Sequence, residues 1–519
     1  MIQQLSLKLS PQEAASDITI IGHIAAALSI PAKSITGYNI LKRSIDARSR
    51  NIYFLLTIQA FVNEPFQERN TFIPIYDTLP PDAPRVVIVG AGSAGLFAAL
   101  RCIEAGIKPV VLERGPDVRT RRRDLAALNK NGEVNPESNY CFGEGGAGTY
   151  SDGKLYTRST KRGDVNRILG IFVHFGAPEK IAYEAHPHIG TNKLPHIITA
   201  MRGQIINSGG EVHFNEKVTA LRLRNSEVTG VQTAAGNSFD AQHVILATGH
   251  SARDIFEMLH QQQILIEAKP FALGVRAEHP QSLIDSAQYH NPVRSEYLPP
   301  ASYSLVEQVQ GRGVFSFCMC PGGIIAPAAT NPGELVVNGW SPSKRNNPFA
   351  NSGMVVTVDE TDFAPFAHKG PLAAMYYQQM VEQQAYQAGG GQFVAPAQRM
   401  TDFVNGKLSA TLPDCSYVPG VKSADLRTVL PAAVYTRLAQ AFKAFGRKMR
   451  GYYTNEAILV ATESRTSSPV RIPRDNDTLM HPQIKGLYPC GEGAGYAGGI
   501  VSAAMDGERV VDAIIQTKQ

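Results

Sequence analysis

The run Val86-Val87-Ile88-Val89-Gly90-Ala91-Gly92-Ser93-Ala94-Gly95 places an apolar, strand-like stretch directly before three glycines spaced Gly-x-Gly-x-x-Gly. Each glycine has its own physical task. Gly90 permits a tight turn, Gly92 lets the backbone approach a pyrophosphate, and Gly95 lets the next helix lie close against the strand. The small-residue stretch 96–105 reads as that helix. Its N-terminus would present unpaired N–H groups and a partial positive charge to phosphate oxygens. A second apolar strand, Pro109 to Leu112, ends at Glu113. A carboxylate at that distance accepts hydrogen bonds from ribose hydroxyls and disfavours a 2′-phosphate. Strand, glycine turn, helix, strand and acid, in this order, predict a dinucleotide site.

Three further glycine segments stand apart from the first: Leu246-Ala247-Thr248-Gly249, the stretch from Cys141-Phe142-Gly143-Glu144-Gly145-Gly146-Ala147-Gly148-Thr149 through Asp152-Gly153-Lys154-Leu155, and Tyr488-Pro489-Cys490-Gly491-Glu492-Gly493-Ala494-Gly495-Tyr496-Ala497-Gly498-Gly499. With them the chain resembles the two-dinucleotide-binding-domain flavoproteins of the glutathione-reductase-like superfamily, whose first unit holds the ADP half of FAD. The Cys141–Leu155 segment, Lys42-Arg43-Ser44-Ile45-Asp46-Ala47-Arg48 and Cys318-Met319-Cys320-Pro321-Gly322-Gly323 are similar to a bacterial family usually named only as FAD-dependent dehydrogenases or oxidoreductases.

The resemblance implies FAD as cofactor. It implies contacts at Gly90, Ala91, Gly92, Ser93, Ala94, Gly95, Glu113 and Arg114, at Gly145, Gly146, Ala147, Gly148 and Thr149, at Val218, Ala247, Thr248 and Gly249, and at Gly491, Glu492, Gly498, Gly499 and Ile500. Relatives usually carry Gly-Asp where this chain has Gly491-Glu492, the acid bonding the ribityl chain, so the extra methylene of Glu492 shifts that acceptor. Motifs at opposite ends of the chain suit an extended FAD better than NAD, which needs no returning C-terminal loop. No second Gly-x-Gly-x-x-Gly unit appears in the middle of the chain, so NAD(P)H stays open as an electron donor without a separate domain to bind it.

Other candidates have plainer readings beside their chemical ones. Cys318 and Cys320, one residue apart, would share a strand face as a redox pair or as core thiols. One arginine of the Arg119–Arg123 cluster would reach the pyrophosphate, or the cluster is a solvated helix face. The basic turn expected from Lys42 to Asn51 reads as a hydrated surface, because no aromatic residues interleave the charges. His186, His188 and His250 offer proton transfer near a flavin but are more often structural, and Lys154, Glu144 and Arg465 are not assigned catalytic roles. No catalytic residue is identified, and Cys/His spacing gives no metal site.

The elements that must position these groups predict an α/β chain: a Rossmann-like FAD-binding domain, an inserted α+β, mostly antiparallel substrate domain, and a small N-terminal α/β module. The boundaries expected are 1–80 for a βαββ module, 85–268 for the first part of the FAD domain, 269–453 for the inserted cap and 454–519 for the returning FAD part. The linker Leu79-Pro80-Pro81-Asp82-Ala83-Pro84 marks the first of them. Over 519 residues, 43% hydrophobic and 18% charged composition provides an ample core. A formal charge of +5 requires no nucleic-acid partner, and the apolar run from Ile18 to Ile30 is too short for a membrane span. Six scattered cysteines point to reduced thiols in a cytoplasmic protein. The activity expected is hydride transfer between FAD and an unidentified small-molecule substrate. The alternatives are a flavin-dependent RNA-modifying or RNA-binding protein and a non-catalytic flavin-bound sensor, and the oligomeric state is left open.

Overall fold

The structure, a computed structural model, describes residues 1–69, 72–157 and 162–517. At the N-terminus, alternation in Ile2–Leu9 and Tyr53–Val62 sends Leu7, Leu9, Phe54, Leu56 and Ile58 to one face. Helix Asp17–Leu28 covers that face with Ile20 and Ile24, and its first turn is capped by Ser16, which accepts from the Thr19 N–H at 3.4 Å. Tyr53–Val62 is the central strand, flanked by Ile2–Leu9 and Ile35–Asp46, all antiparallel.

The basic turn expected at 42–51 is corrected here. Lys42 and Arg43 belong to the strand Ile35–Asp46, because edge-strand charges remain solvated without breaking the ladder. Arg43 lies over the Phe54 ring at 4.2 Å, and its backbone bonds Tyr183 and Ala185 of the next domain. Arg48 forks onto Asp46 at 2.8 and 2.9 Å.

A five-stranded parallel sheet forms the second layer, in the order Leu487–Pro489, Val244–Leu246, Arg85–Val89, Lys108–Glu113, Glu211–Phe214. Its central strands are near-continuous Val, Ile and Leu because both faces are covered. Helices Ser93–Glu104 and Ile500–Thr517 pack closely on one face. A Cβ on Gly507 would lie 2.2 Å from the Ala94 carbonyl oxygen, and one on Gly95 would lie 1.9 Å from the Gly90 oxygen.

The cap is a seven-stranded sheet ordered Val306–Val309, Arg312–Cys320, Phe349–Val358, Phe271–Pro280, Ile458–Glu463, Ala395–Arg399, Val421–Ser423. All its pairs are antiparallel except the last. The boundary expected after residue 453 is displaced by this topology. Ile458–Glu463, which reads locally as the start of the returning FAD segment, is an inner strand of the cap with every residue buried. Short apolar runs carry no mark of which sheet they join. Helices Ala373–Gly389 and Ala432–Lys448 pack on the cap, each beginning just after the proline of its segment, Pro371 or Pro431. Among the described residues no helix is long and apolar enough to cross a membrane.

Candidate functional site

The carboxyl ends of the four adjacent strands from Leu487–Pro489 to Lys108–Glu113 open into one cavity of about 750 Å³. In open parallel sheets the ligand crevice lies outside these strand ends. The four glycine segments meet here. The Gly145 N–H donates to the Ala91 carbonyl at 2.8 Å, and a Cβ on Gly146 would come within 3.0 Å of the Gly92 Cα. A Cβ on Gly148 would sit 3.0 Å from Ile500, and one on Gly493 would lie 2.4 Å from the Gly249 oxygen. Asp506 pins the late loop by accepting the Gly491 N–H at 2.7 Å and a fork from Arg474.

Of the residues singled out from sequence, Gly90, Gly92, Ser93, Ala94, Glu113, Arg114, Gly145, Gly146, Ala147, Gly148, Val218, Ala247, Thr248, Gly249, Gly491, Glu492, Gly498, Gly499 and Ile500 all line the cavity. Ala91, Gly95 and Thr149 stand behind the wall. Ala91 bonds Glu113, Gly95 packs on Gly90, and the Thr149 hydroxyl donates to the Glu144 carbonyl at 3.2 Å.

Two glycines test whether a ligand belongs in this space. A Cβ on Gly92 would meet nothing closer than 3.8 Å and one on Gly498 nothing within 4 Å, and neither has a left-handed backbone. Packing and backbone therefore tolerate a Cβ at both positions. What glycine leaves free there is room inside the cavity, where a phosphate or a planar ring needs close approach to the backbone.

Glu113 is nearly buried and does more than face a ribose. Oε2 accepts from Ala91 N–H at 2.9 Å, and Oε1 accepts from Gly115 and Gly143 N–H at 3.0 Å each. It ties the first glycine turn to the second glycine loop. Glu113→Ala leaves three buried donors unpaired at about 1–3 kcal/mol each. We expect a loss of at least about 3 kcal/mol in urea unfolding of the holoprotein, together with weaker flavin retention. An unchanged midpoint contradicts this role.

One arginine of the Arg119–Arg123 cluster lies neither in the cavity wall nor on a solvated face. Arg121, fully buried, donates to the carbonyls of Asn139, Gly143, Glu144 and Gly146 at 2.8–3.3 Å and so shapes the glycine loop from behind. Arg114 lies over the Phe142 ring at 4.0 Å and pairs with Glu137 and Asp254. Glu144 is buried behind the wall, where burial raises its pKa and the Val118 N–H and Arg202 bond it.

Across the cavity the wall comes from the cap, including Ser302, Cys318, Cys320, Asn338 and Arg345, and from residues 151–154, Tyr156, His186 and Pro187. Arg345 forks onto Asp152 at 3.0 and 2.5 Å. Burial opposes the Asp152 charge, yet Lys154 and Arg345 hold its carboxyl below the usual range. Burial, then Arg345, lowers His186, and the same two causes push His188 down to about 4, so both imidazoles are neutral near pH 7. His188 is turned to the Ser343 carbonyl at 3.3 Å. His250 lines the cavity with its ring nitrogen 2.9 Å from the Arg465 carbonyl. The Asp152–Arg345 pair, Ser302 and Asn338 were missed from sequence. Only Asp152 lay inside a motif that signalled it.

A buried four-charge joint links cap and FAD domain. Arg253, at the start of helix Arg253–Gln261, meets Glu334 and Glu382 at 3.1 and 2.9 Å, and Arg465 meets the same two at 3.1 and 3.0 Å. Its charges balance, as buried ions must.

A Clostridium beijerinckii protein described as an uncharacterized protein is 40% identical over 511 residues, 95% of each chain. The description "FAD-dependent protein, C-terminal domain-like" matches residues 270–466, "FAD dependent oxidoreductase" matches 193–317, and "FAD binding domain" matches 85–126.

The chain belongs to a bacterial family of FAD-dependent flavoproteins.

FAD is its cofactor and oxidoreductase its class. The N-terminal module of this flavoprotein, residues 1–61, matches a domain of unknown function. Similar solved structures include glycine oxidase from Bacillus cereus, 14% identical with 86% of this chain and 96% of that one covered, TM-score 0.30. CtdE in complex with FAD is 10% identical with 83% and 84% covered, TM-score 0.30. At such scores neither carries an argument about substrate.

Proposed function

We propose that this flavoprotein moves a hydride between FAD and a small organic molecule admitted on the cap side of the cavity. The observation that supports this reading is the meeting of four glycine segments at the sheet's carboxyl ends, in a cavity whose opposite wall comes from the cap. FAD, when bound, supplies the two-electron redox chemistry.

The chain's own residues bind, orient and exclude water. Gly90, Gly92, Ser93 and Ala94, with Gly145 and Gly146 opposite, would hold the diphosphate. Glu113 would face the adenosine ribose through the lone pair of Oε2 that its backbone partners leave free. Gly498, Gly499 and Ile500 would set the first turn of the last helix against the ring system, where the helix N-terminus would favour negative charge on the flavin. Lys154 presents a cation to the substrate side. Ser302 and Asn338 offer neutral hydrogen bonds there, and neutral His186 accepts a proton more readily than it donates one.

Anaerobic titration of the holoprotein with NADH and NADPH, followed by screening metabolites for reoxidation, tests the reading. We expect the visible flavin band to bleach with one donor or metabolite and to return with a partner of the opposite redox state. A band that only dithionite bleaches, with no metabolite reoxidising it, overturns hydride transfer to a small molecule.

A further inference from the structure

We propose that Cys318 and Cys320 form a redox pair in the cavity wall that closes to an intramolecular disulfide as two electrons pass to the bound flavin. The inference rests on FAD being the resident redox group and adds a second electron store to it.

The backbone carries the first part of the argument. In a flat strand, residues two apart are separated by about 6.6 Å along the chain. A disulfide takes a Cβ separation of about 3.5–4.5 Å. The strand Arg312–Cys320 is not flat at this point. From Phe317 to Cys320 it takes three steps while its partner takes two, from Gly353 to Asn351, so an extra residue bulges out. Cys318 sits in that bulge with a left-handed φ of 45°, uncommon for a residue with a Cβ. The kink brings the Cys320 sulfur to 3.2 Å from the carbonyl oxygen of Cys318 itself. Bulges beside cavities re-aim side chains, and both cysteines line this one.

Surroundings carry the second part. Cys318 is exposed to the cavity and Cys320 is buried, the arrangement of an accessible thiol with a sheltered partner. Arg276 Nη2 lies 3.6 Å and Lys154 Nζ 3.9 Å from the Cys320 sulfur. Both cations sit within reach of the sulfur, although Glu463, 2.7 Å from Arg276 Nη1, offsets part of their charge, and burial pushes the Cys318 thiol up to about 11 despite Lys154, so the pair exchanges slowly near pH 7. Arg276 Nη2 also donates to the Cys318 carbonyl at 2.7 Å and fixes the kink. Among the described residues no cluster of three or more His, Cys, Asp or Glu side chains could hold a metal.

The step balances. Two S–H bonds break and one S–S bond forms. Two electrons and two protons leave, and oxidised flavin is the acceptor, becoming reduced flavin. Run backwards, reduced flavin restores both thiols.

Two readouts on the full-length holoprotein test the pair. The first equilibrates it anaerobically with graded ratios of reduced to oxidised dithiothreitol, quenches with acid, alkylates under denaturing conditions and measures peptide masses. We expect Cys318 and Cys320 to lose alkylation together, in a peptide lighter by two hydrogens, while the other cysteines stay labelled. The second counts electrons taken from dithionite. We expect four per flavin in oxidised wild type and two in Cys318→Ser. Full alkylation of both residues at every ratio, or uptake of two electrons by wild type, overturns the proposal. A flavin band that never bleaches counts instead against the oxidoreductase reading, since the mass readout does not depend on it.

Discussion

Gly92→Val will fold and purify without its flavin. Gly92 is the N-cap of helix Ser93–Glu104 with an extended backbone that any residue adopts, and the nearest atom to an added Cβ is 3.8 Å away. The protein has room for the added Cβ. The diphosphate does not, because its approach to the helix N-terminus depends on a bare backbone. We expect FAD affinity to fall at least about 100-fold, ~2.8 kcal/mol. Circular dichroism and the unfolding midpoint should match those of wild-type apoprotein. Gly95→Val is the contrasting case. Its Cβ would lie 1.9 Å from the Gly90 carbonyl oxygen, so we expect that variant to misfold rather than merely lose cofactor. A yellow Gly92→Val protein with normal flavin content contradicts the assignment of this turn.

Glu382→Gln will destabilise the protein by about 3–5 kcal/mol, the range for breaking a buried ion pair from one side. Glu382 accepts from Arg253, Arg465 and the Ser464 hydroxyl and has no solvent to replace them. Burial raises its pKa, but Arg253 and Arg465 outweigh burial and hold the carboxyl down at about 2. A depressed folded pKa gives stability that is present above the unfolded value of about 4.3 and is lost as pH falls toward 2. Wild type should therefore lose its advantage over Glu382→Gln across that window, measured by urea unfolding at successive pH values. A stability gap that stays constant from pH 5 to pH 2 contradicts the ionised joint.

The glycine segments were legible because each answers a local demand of the backbone. Gly90 turns with φ 105°, Gly95 packs on a carbonyl, and strand, helix and acid follow in a short fixed order. The cap's antiparallel character was legible from its short runs and turn residues. Pairings across long separations were not. Asp152 meets Arg345 193 positions away and Arg253 meets Glu382 129 positions away, and a charged residue on its own carries no sign of its partner. The role of Arg121 was hidden for a related reason. Sequence offered its cluster a pyrophosphate contact or a solvated helix face, whereas only the fold shows that the loop's inward carbonyls claim all but one of the Arg121 nitrogens. Ile458–Glu463 was assigned past the cap boundary because a buried apolar strand looks the same in either sheet.

The central claim is that the early glycine turn, the 145–148 loop and the late loop grip one FAD between them. A crystal structure of the FAD-reconstituted protein tests it most directly. We predict diphosphate density between Gly92 and Gly146, and isoalloxazine density between Gly498–Ile500 and the Lys154 wall. Density for an adenine nucleotide with no ring system, or a flavin bound outside this cavity, would contradict the account.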